Sequence, residues 1–182
     1  MPVPSLLLSV ALVAATLGGC PSGRLARGPA PEVRTGAQES PAPTRGDTLV
    51  VLERTECYGK CPAYTVVISG GGAVLYSGTA HVTRTGEVRD TLGPGAVRRL
   101  VAAFDAAGHS AFPDSLSWGS SACETISTDN PTTTTTLTIG TRTKRVVHYY
   151  GCRGFTGEAA LTALETEIDR VAGTDRWAGR AR

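Results

Sequence analysis

After residue 47, apolar and polar positions alternate with a period of two through most of the chain, and twice switch to a period near 3.6. Thr48 to Arg54 (Thr-Leu-Val-Val-Leu-Glu-Arg) is rich in β-branched residues and apolar on both faces, which predicts a strand inside a sheet. Tyr64 to Ser69 alternates strictly, with Tyr64, Val66 and Ile68 on one face. Gly70-Gly71-Gly72 supplies the positive φ angles of a hairpin, and Ala73 to Ser77 returns. Gly78 predicts a break or bulge, followed by a further strand over Thr79 to Arg84. Later, Thr133, Thr135, Leu137 and Ile139 alternate with Thr132, Thr134, Thr136 and Thr138. The threonine run is expected to express β-propensity on a solvated face rather than a ligand ladder. Gly140-Thr141 turns the chain, and Arg142 to Tyr150 pairs back with Val146, His148 and Tyr150 alternating.

The helical period appears first after Gly93-Pro94, with Pro94 at the first helical position. Val97, Leu100, Val101 and Phe104 form its apolar stripe, and Gly108 ends it as the C′ residue. A second helix is expected from Thr156, as N-cap, to Val171, with Leu161, Leu164, Ile168 and Val171 as its stripe. Gly173 closes it, and Trp177 is expected to fold back on it. Between the helices, His109 to Asn130 has no sustained period, so something must hold this long loop down. The order of elements predicts a two-layer α+β domain over residues 48–182. Its sheet is mostly antiparallel, with roughly five to six strands and two amphipathic helices on one face.

The pattern before residue 48 is different. Leu6 to Leu17 is an apolar run of twelve residues, shorter than the roughly 20 needed to cross a bilayer but the length of a secretory h-region. It ends in Leu17-Gly18-Gly19-Cys20, which resembles the lipobox of bacterial lipoproteins, although Met1 to Ser5 holds no Lys or Arg. The resemblance implies a signal peptide over 1–19 and lipidation at Cys20, with two or three acyl chains for a stable anchor. Pro21 at the next position is similar to outer-membrane sorting patterns. Pro21 to Asp47 holds five prolines and four glycines in 27 residues, a composition that cannot offset its ordering entropy. Residues 20–47 therefore read as the lipidated cysteine and a tether with an r.m.s. span of roughly 30 Å. The expected location is the cell envelope, periplasm-facing or on the surface, at the outer rather than the inner membrane.

Charge changes the picture little. The formal net charge is +2, and the basic residues are scattered, so neither a nucleic-acid stripe nor an acidic tail is present. Arg54, Arg98-Arg99 and Arg142/Lys144/Arg145 read as solvated edges or faces. His81, His109 and His148 stand alone in the sequence and read as surface or strand residues, and Glu165 and Glu167 as a helix's polar face. No nucleophile elbow, phosphate-binding glycine loop or zincin helix occurs. Ser117, Ser120 and Ser121 have no motif context.

Cysteine chemistry is more informative. Setting Cys20 aside, Cys57, Cys61, Cys123 and Cys152 form an even set behind a signal sequence, which points to disulfides in one of three connectivities. Cys57–Cys61 with Cys123–Cys152 is favoured, the first closing a tiny loop and the second tying down the irregular one. A redox dithiol would want Cys-x-x-Cys at a helix N-terminus, and here three residues intervene between strands. Cys57-x-x-x-Cys61-Pro62 does resemble the copper-binding segment of periplasmic copper chaperones, but those need a distant His in a βαβ context that His148 lacks.

Glu53-Arg54-Thr-x-Cys57-Tyr-Gly-x-Cys61-Pro-x-Tyr64, followed by Val66-x-Ile68 and Gly72, is similar to a bacterial family known only as domain of unknown function 6438. Thr128-Asp129-Asn-Pro131-Thr132, Lys144-Arg-Val-Val-His-Tyr149 and Gly151-Cys152-Arg-Gly154 match further. So do Leu161-x-x-Leu164-Glu165-x-x-Ile168-Asp169 and Asp175-Arg-Trp177, so that the resemblance covers residues 48–177. The resemblance implies no catalytic residue, metal or cofactor, and it treats Cys123 and Cys152 as a subgroup pair. The expected function is a lipid-anchored envelope protein with a non-enzymatic binding or structural domain. Its partners would be the membrane, through the anchor, and an envelope protein, with no nucleic acid. The candidate interaction surface is the cysteine loop with Tyr58 and Lys60, beside Asp129 and Asn130. The alternative is a thiol-redox or copper-handling periplasmic protein using Cys57 and Cys61.

Overall fold

The computed structural model describes residues 48–179. The expected signal peptide, Cys20 and the tether lie outside them. The strands are β1 (Thr48–Arg54), β2 (Ala63–Ser69), β3 (Ala73–Ala80), β4 (Gly86–Thr91), β5 (Ser115–Leu116), β6 (Thr125–Ile126), β7 (Thr132–Ile139), β8 (Arg142–Tyr149) and β9 (Cys152–Arg153). The helices are α1 (Pro94–Ala106), α2 (Glu158–Ala172) and the single-turn α3 (Asp175–Ala178). The class is α+β: a seven-stranded sheet in the order β4-β3-β2-β1-β7-β8-β5, antiparallel except where β5 runs parallel to β8, and a separate β6-β9 ribbon. Among the described residues no helix is long and apolar enough to cross a membrane.

The strand pattern locates the core. β1 is the middle strand, flanked by β2 and β7, as its two apolar faces imply. Register places Val66, Leu52, Thr135 and Val146 in one row across the sheet, and directly opposed residues share a face. Val50, Ile68 and Val74 lie on the same face one row further along. All of these are buried, with Leu100 and Phe104 of α1 and Leu161, Leu164 and Ile168 of α2 in the same cluster. A fully buried side chain of this size contributes ~1.5–3 kcal/mol, so this cluster carries most of the fold.

Four local expectations are corrected. The sheet has seven strands: the strand expected over Thr79 to Arg84 does not form and β4 takes its place, while the two-residue β5 adds an edge where only loop is expected. β3 runs on through Gly78 to Ala80, the chain turns, and Gly86–Thr91 pairs as the edge strand β4. With one apolar residue, Val88, an edge strand has too little periodicity to be read. Gly78 does mark an irregularity, since the β2–β3 register shifts between Ala63 and Tyr64. A Cβ there would clash with the Arg84 carbonyl oxygen. Secondly, the all-threonine face is not fully solvated: β7 is internal, Thr134 is buried and Thr132, Thr136 and Thr138 are half-buried, while Thr133 and Thr135 are buried on the other face. Thirdly, α2 is preceded by Gly157 in the left-handed region (φ 84°), not by a Thr156 cap. Its end at left-handed Gly173 is as expected. Fourthly, Trp177 reaches the sheet, with its ring 5.2 Å from that of Tyr76 and its carbonyl accepting from the Arg84 amide.

The irregular loop is held down from several sides. Cys123 is bonded to Cys152, β6 pairs with β9, and β5 pairs with β8. Lys144 donates to the Phe112 carbonyl and to Asp114, both at 2.6 Å. Such ties replace the apolar period that the loop lacks.

Candidate functional site

One row beyond Leu52, the covered face of the sheet changes character. Register aligns Gly78, Tyr64, Arg54, Thr133 and His148 across five strands. Above this row α2 presents Glu165 and Asp169, one helical turn apart and therefore on the same side of the helix. The Arg54 Nε and Nη2 donate to Asp169 Oδ2 at 2.9 and 2.7 Å, and Nη1 donates to the Thr133 hydroxyl at 2.9 Å. The other oxygen of Asp169 accepts from the Tyr64 hydroxyl at 2.7 Å and the Thr174 hydroxyl at 2.8 Å. Asp169 thus receives a donor at every position a carboxylate can comfortably fill.

The second carboxylate is more deeply placed. Glu165 is fully buried, its Oε1 is 2.9 Å from His148 Nδ1, and its Oε2 accepts from the Tyr150 hydroxyl at 2.6 Å. The His148 ring stacks on Tyr150 with centroids 4.5 Å apart and meets Phe155 edge-on. His148 and Glu165 are therefore not an isolated strand residue and a polar helix face, as they read in sequence, but a buried couple. Arg54 is likewise not a solvated edge. His109 is buried too, with Nε2 2.9 Å from the Thr135 hydroxyl; only His81 is exposed.

Electrostatics follow from this packing. Burial works against the charged Arg54 guanidinium, but Asp169 together with Tyr64 and Tyr150 outweighs it and raises its pKa. Burial, then Asp169, pushes the Tyr64 phenol up, so it keeps the proton it donates. Burial, then Glu165, does the same to Tyr150. His109 is pushed down to about 4, by burial first and by Lys144 second, and stays neutral at ordinary pH.

Arg54, Tyr64 and Thr133 of this row, with Tyr150 and Asp169, line a cleft of about 620 Å³ whose other walls include Cys61, Pro62, Pro131, Thr166 and Ala178. The cysteine loop stands at its rim. Cys57 is bonded to Cys61, so neither sulfur is a thiolate in this state. Tyr58 is 89% exposed, and its amide donates to the Asp129 carbonyl at 3.3 Å. Asp129 has a left-handed backbone (φ 70°), and Asn130 bonds back to Ser127 and the Thr128 carbonyl. Tyr58, Lys60, Asp129 and Asn130 therefore come from two adjoining turns. Among the described residues no three His, Cys, Asp or Glu side chains gather as a metal would require.

Fold and site together define a disulfide-stapled α+β domain with a polar cleft at one end of its sheet. The family model described as Domain of unknown function (DUF6438) matches residues 48–172, and the chain belongs to that family. The match runs from the first residue of β1 to the last of α2, so Asp175 to Trp177 lie beyond it. No curated protein matches the chain.

Proposed function

We propose that the protein is a lipid-anchored component of the cell envelope whose domain binds a partner protein and does not turn over a substrate. The anchor rests on Leu17-Gly18-Gly19-Cys20. The observation that carries the binding reading is Tyr58, an exposed aromatic on a loop closed by the Cys57–Cys61 bond and hydrogen-bonded to the Asp129 turn. A large amphipathic side chain on a pre-ordered loop loses little entropy on docking, and tyrosine is enriched among residues that dominate interfaces. Lys60, Asp129 and Asn130 give this surface charges of both signs and amide donors. The carboxylates of Glu165 and Asp169 are engaged in holding side chains of the sheet in place.

The test uses the full-length chain in its native membrane. A photo-crosslinking amino acid at position 58 should give a discrete adduct that one at Arg98, on α1, does not. Equal labelling at both positions, or none at position 58, would count against the reading. The anchor is tested separately: the mature N-terminal peptide should carry acyl mass on Cys20, and Cys20→Ala should release the protein from membranes.

A further inference from the structure

We propose that the cleft floored by Arg54 is a binding site for a carboxylate carried on a compact apolar body, either a small organic acid or the C-terminus of a peptide. This site is separate from the Tyr58 surface and does not depend on it. Its volume, about 620 Å³, is that of a small-molecule pocket.

The recognition chemistry comes from counting guanidinium protons. Arg54 has five N–H groups. Nε–H and one Nη2–H go to Asp169, and one Nη1–H goes to Thr133, which leaves one on each terminal nitrogen. The Tyr150 oxygen lies alongside, its own proton given to Glu165, and a single Arg54–Tyr150 hydrogen bond uses one of these N–H groups. At least one charged donor therefore remains in the cleft, on a side chain that is 20% exposed and cannot swing away from Asp169.

Asp169 lines the same cleft, and its charge would seem to repel an anion. Its oxygens, however, already accept from Arg54, Tyr64 and Thr174. An incoming group therefore meets an Asp169 carboxylate whose lone pairs are already engaged by donors. Asp169 acts as the brace that fixes the guanidinium plane, which suits the planar fork geometry by which arginine selects carboxylates. Thr166, exposed on α2, adds a hydroxyl that now donates to the Thr162 carbonyl. Pro62, Pro131 and Ala178 make the walls apolar, so the carboxylate would come attached to a short aliphatic or aromatic body. Arg54 and Asp169 offset each other and the exposed Asp175 adds a negative charge to the lining, so directed hydrogen bonds and not long-range attraction hold the ligand, and salt should not weaken binding.

The experiment is saturation-transfer NMR on the full-length protein with four probes: N-acetyl-prolyl-alanine as free acid and as amide, and benzoate with benzamide. At least one acid should bind, about tenfold more tightly than its amide, because the charge-assisted hydrogen bond is lost in the amide. A response to the peptide acid alone identifies a chain terminus as the ligand, to benzoate alone a small acid, and to both the shared carboxylate; each supports the site. Thr166→Glu, at an exposed helical position, should abolish the response while leaving the circular dichroism spectrum unchanged. Amides that match their acids, absence of binding by both acids, or retained binding in Thr166→Glu would overturn the proposal. None of these results bears on crosslinking at Tyr58.

Discussion

Two neighbouring rows of the sheet meet α2 by different physics. In the row through Val66, Leu52 and Val146 the packing is by apolar area, and each side chain contributes in proportion to the area it buries. In the next row, through Tyr64, Arg54, Thr133 and His148, the same helix is held by hydrogen bonds to Glu165 and Asp169. Polar groups that are buried cost free energy unless every one is paired, so this row behaves as a unit. An apolar row degrades gradually; a polar one fails when a single member is removed.

The comparison can be broken most forcefully at Glu165. Glu165→Ala leaves His148 and Tyr150 without their buried acceptor and should cost ~4 kcal/mol in urea unfolding. Leu52→Ala, one row away, should cost ~3 kcal/mol by loss of transfer free energy and the cavity left behind. A Glu165→Ala cost below ~1 kcal/mol would show that the polar row contributes little to docking α2. Asp169→Ala should cost ~3 kcal/mol, because Arg54 is then left with its charge largely buried and unpaired. Replacing both partners, as Arg54→Met with Asp169→Leu, should cost only ~1 kcal/mol, since no orphaned charge remains. A double variant as costly as Asp169→Ala would mean that the cost comes from lost packing and not from an orphaned charge.

The smallest effect sharpens the contrast from the other side. His109 bonds Thr135, which sits in the apolar row, and its pKa of about 4 lies below the ordinary value of 6.5. Between those values the unfolded chain binds the extra proton and the folded chain does not. Stability therefore falls as pH drops through this window and is fully present above it. His109→Gln should flatten the slope of unfolding free energy between pH 6.5 and 5, where carboxylates contribute less. The buried Nδ1 of His109, which has no partner among the described residues, fits the same neutral state, with Nε2–H given to Thr135 and a bare lone pair at Nδ1.

Much of the scaffold can be read from the chain because its signals are local. β1, β2, β7, β8 and both long helices announce themselves by period, and both disulfides join the pairs that loop lengths favour. The polar row is different, since its members come from β1, β2, β7, β8 and α2 and meet only through register. Arg54 and Tyr64 flank the conspicuous cysteines, which drew attention to the loop and away from them. One clue was available. Leu161, Leu164, Glu165, Ile168 and Ala172 fall at i, i+3, i+4, i+7 and i+11, so Glu165 occupies an apolar slot of the helix and had to be buried with partners. Thr133 and Thr135 gave no such clue, because threonine suits a solvated and an internal strand equally until the neighbouring strands are known.

The position of β1 carries a mechanical consequence. The chain enters the domain at Thr48, and that first strand is the central one, bonded along its length to β2 on one side and β7 on the other. Tension applied to β1 along its own axis would load both ladders in shear at the same moment. A domain entered through an edge strand would unzip one bond at a time; this one must slip two ladders together before it yields.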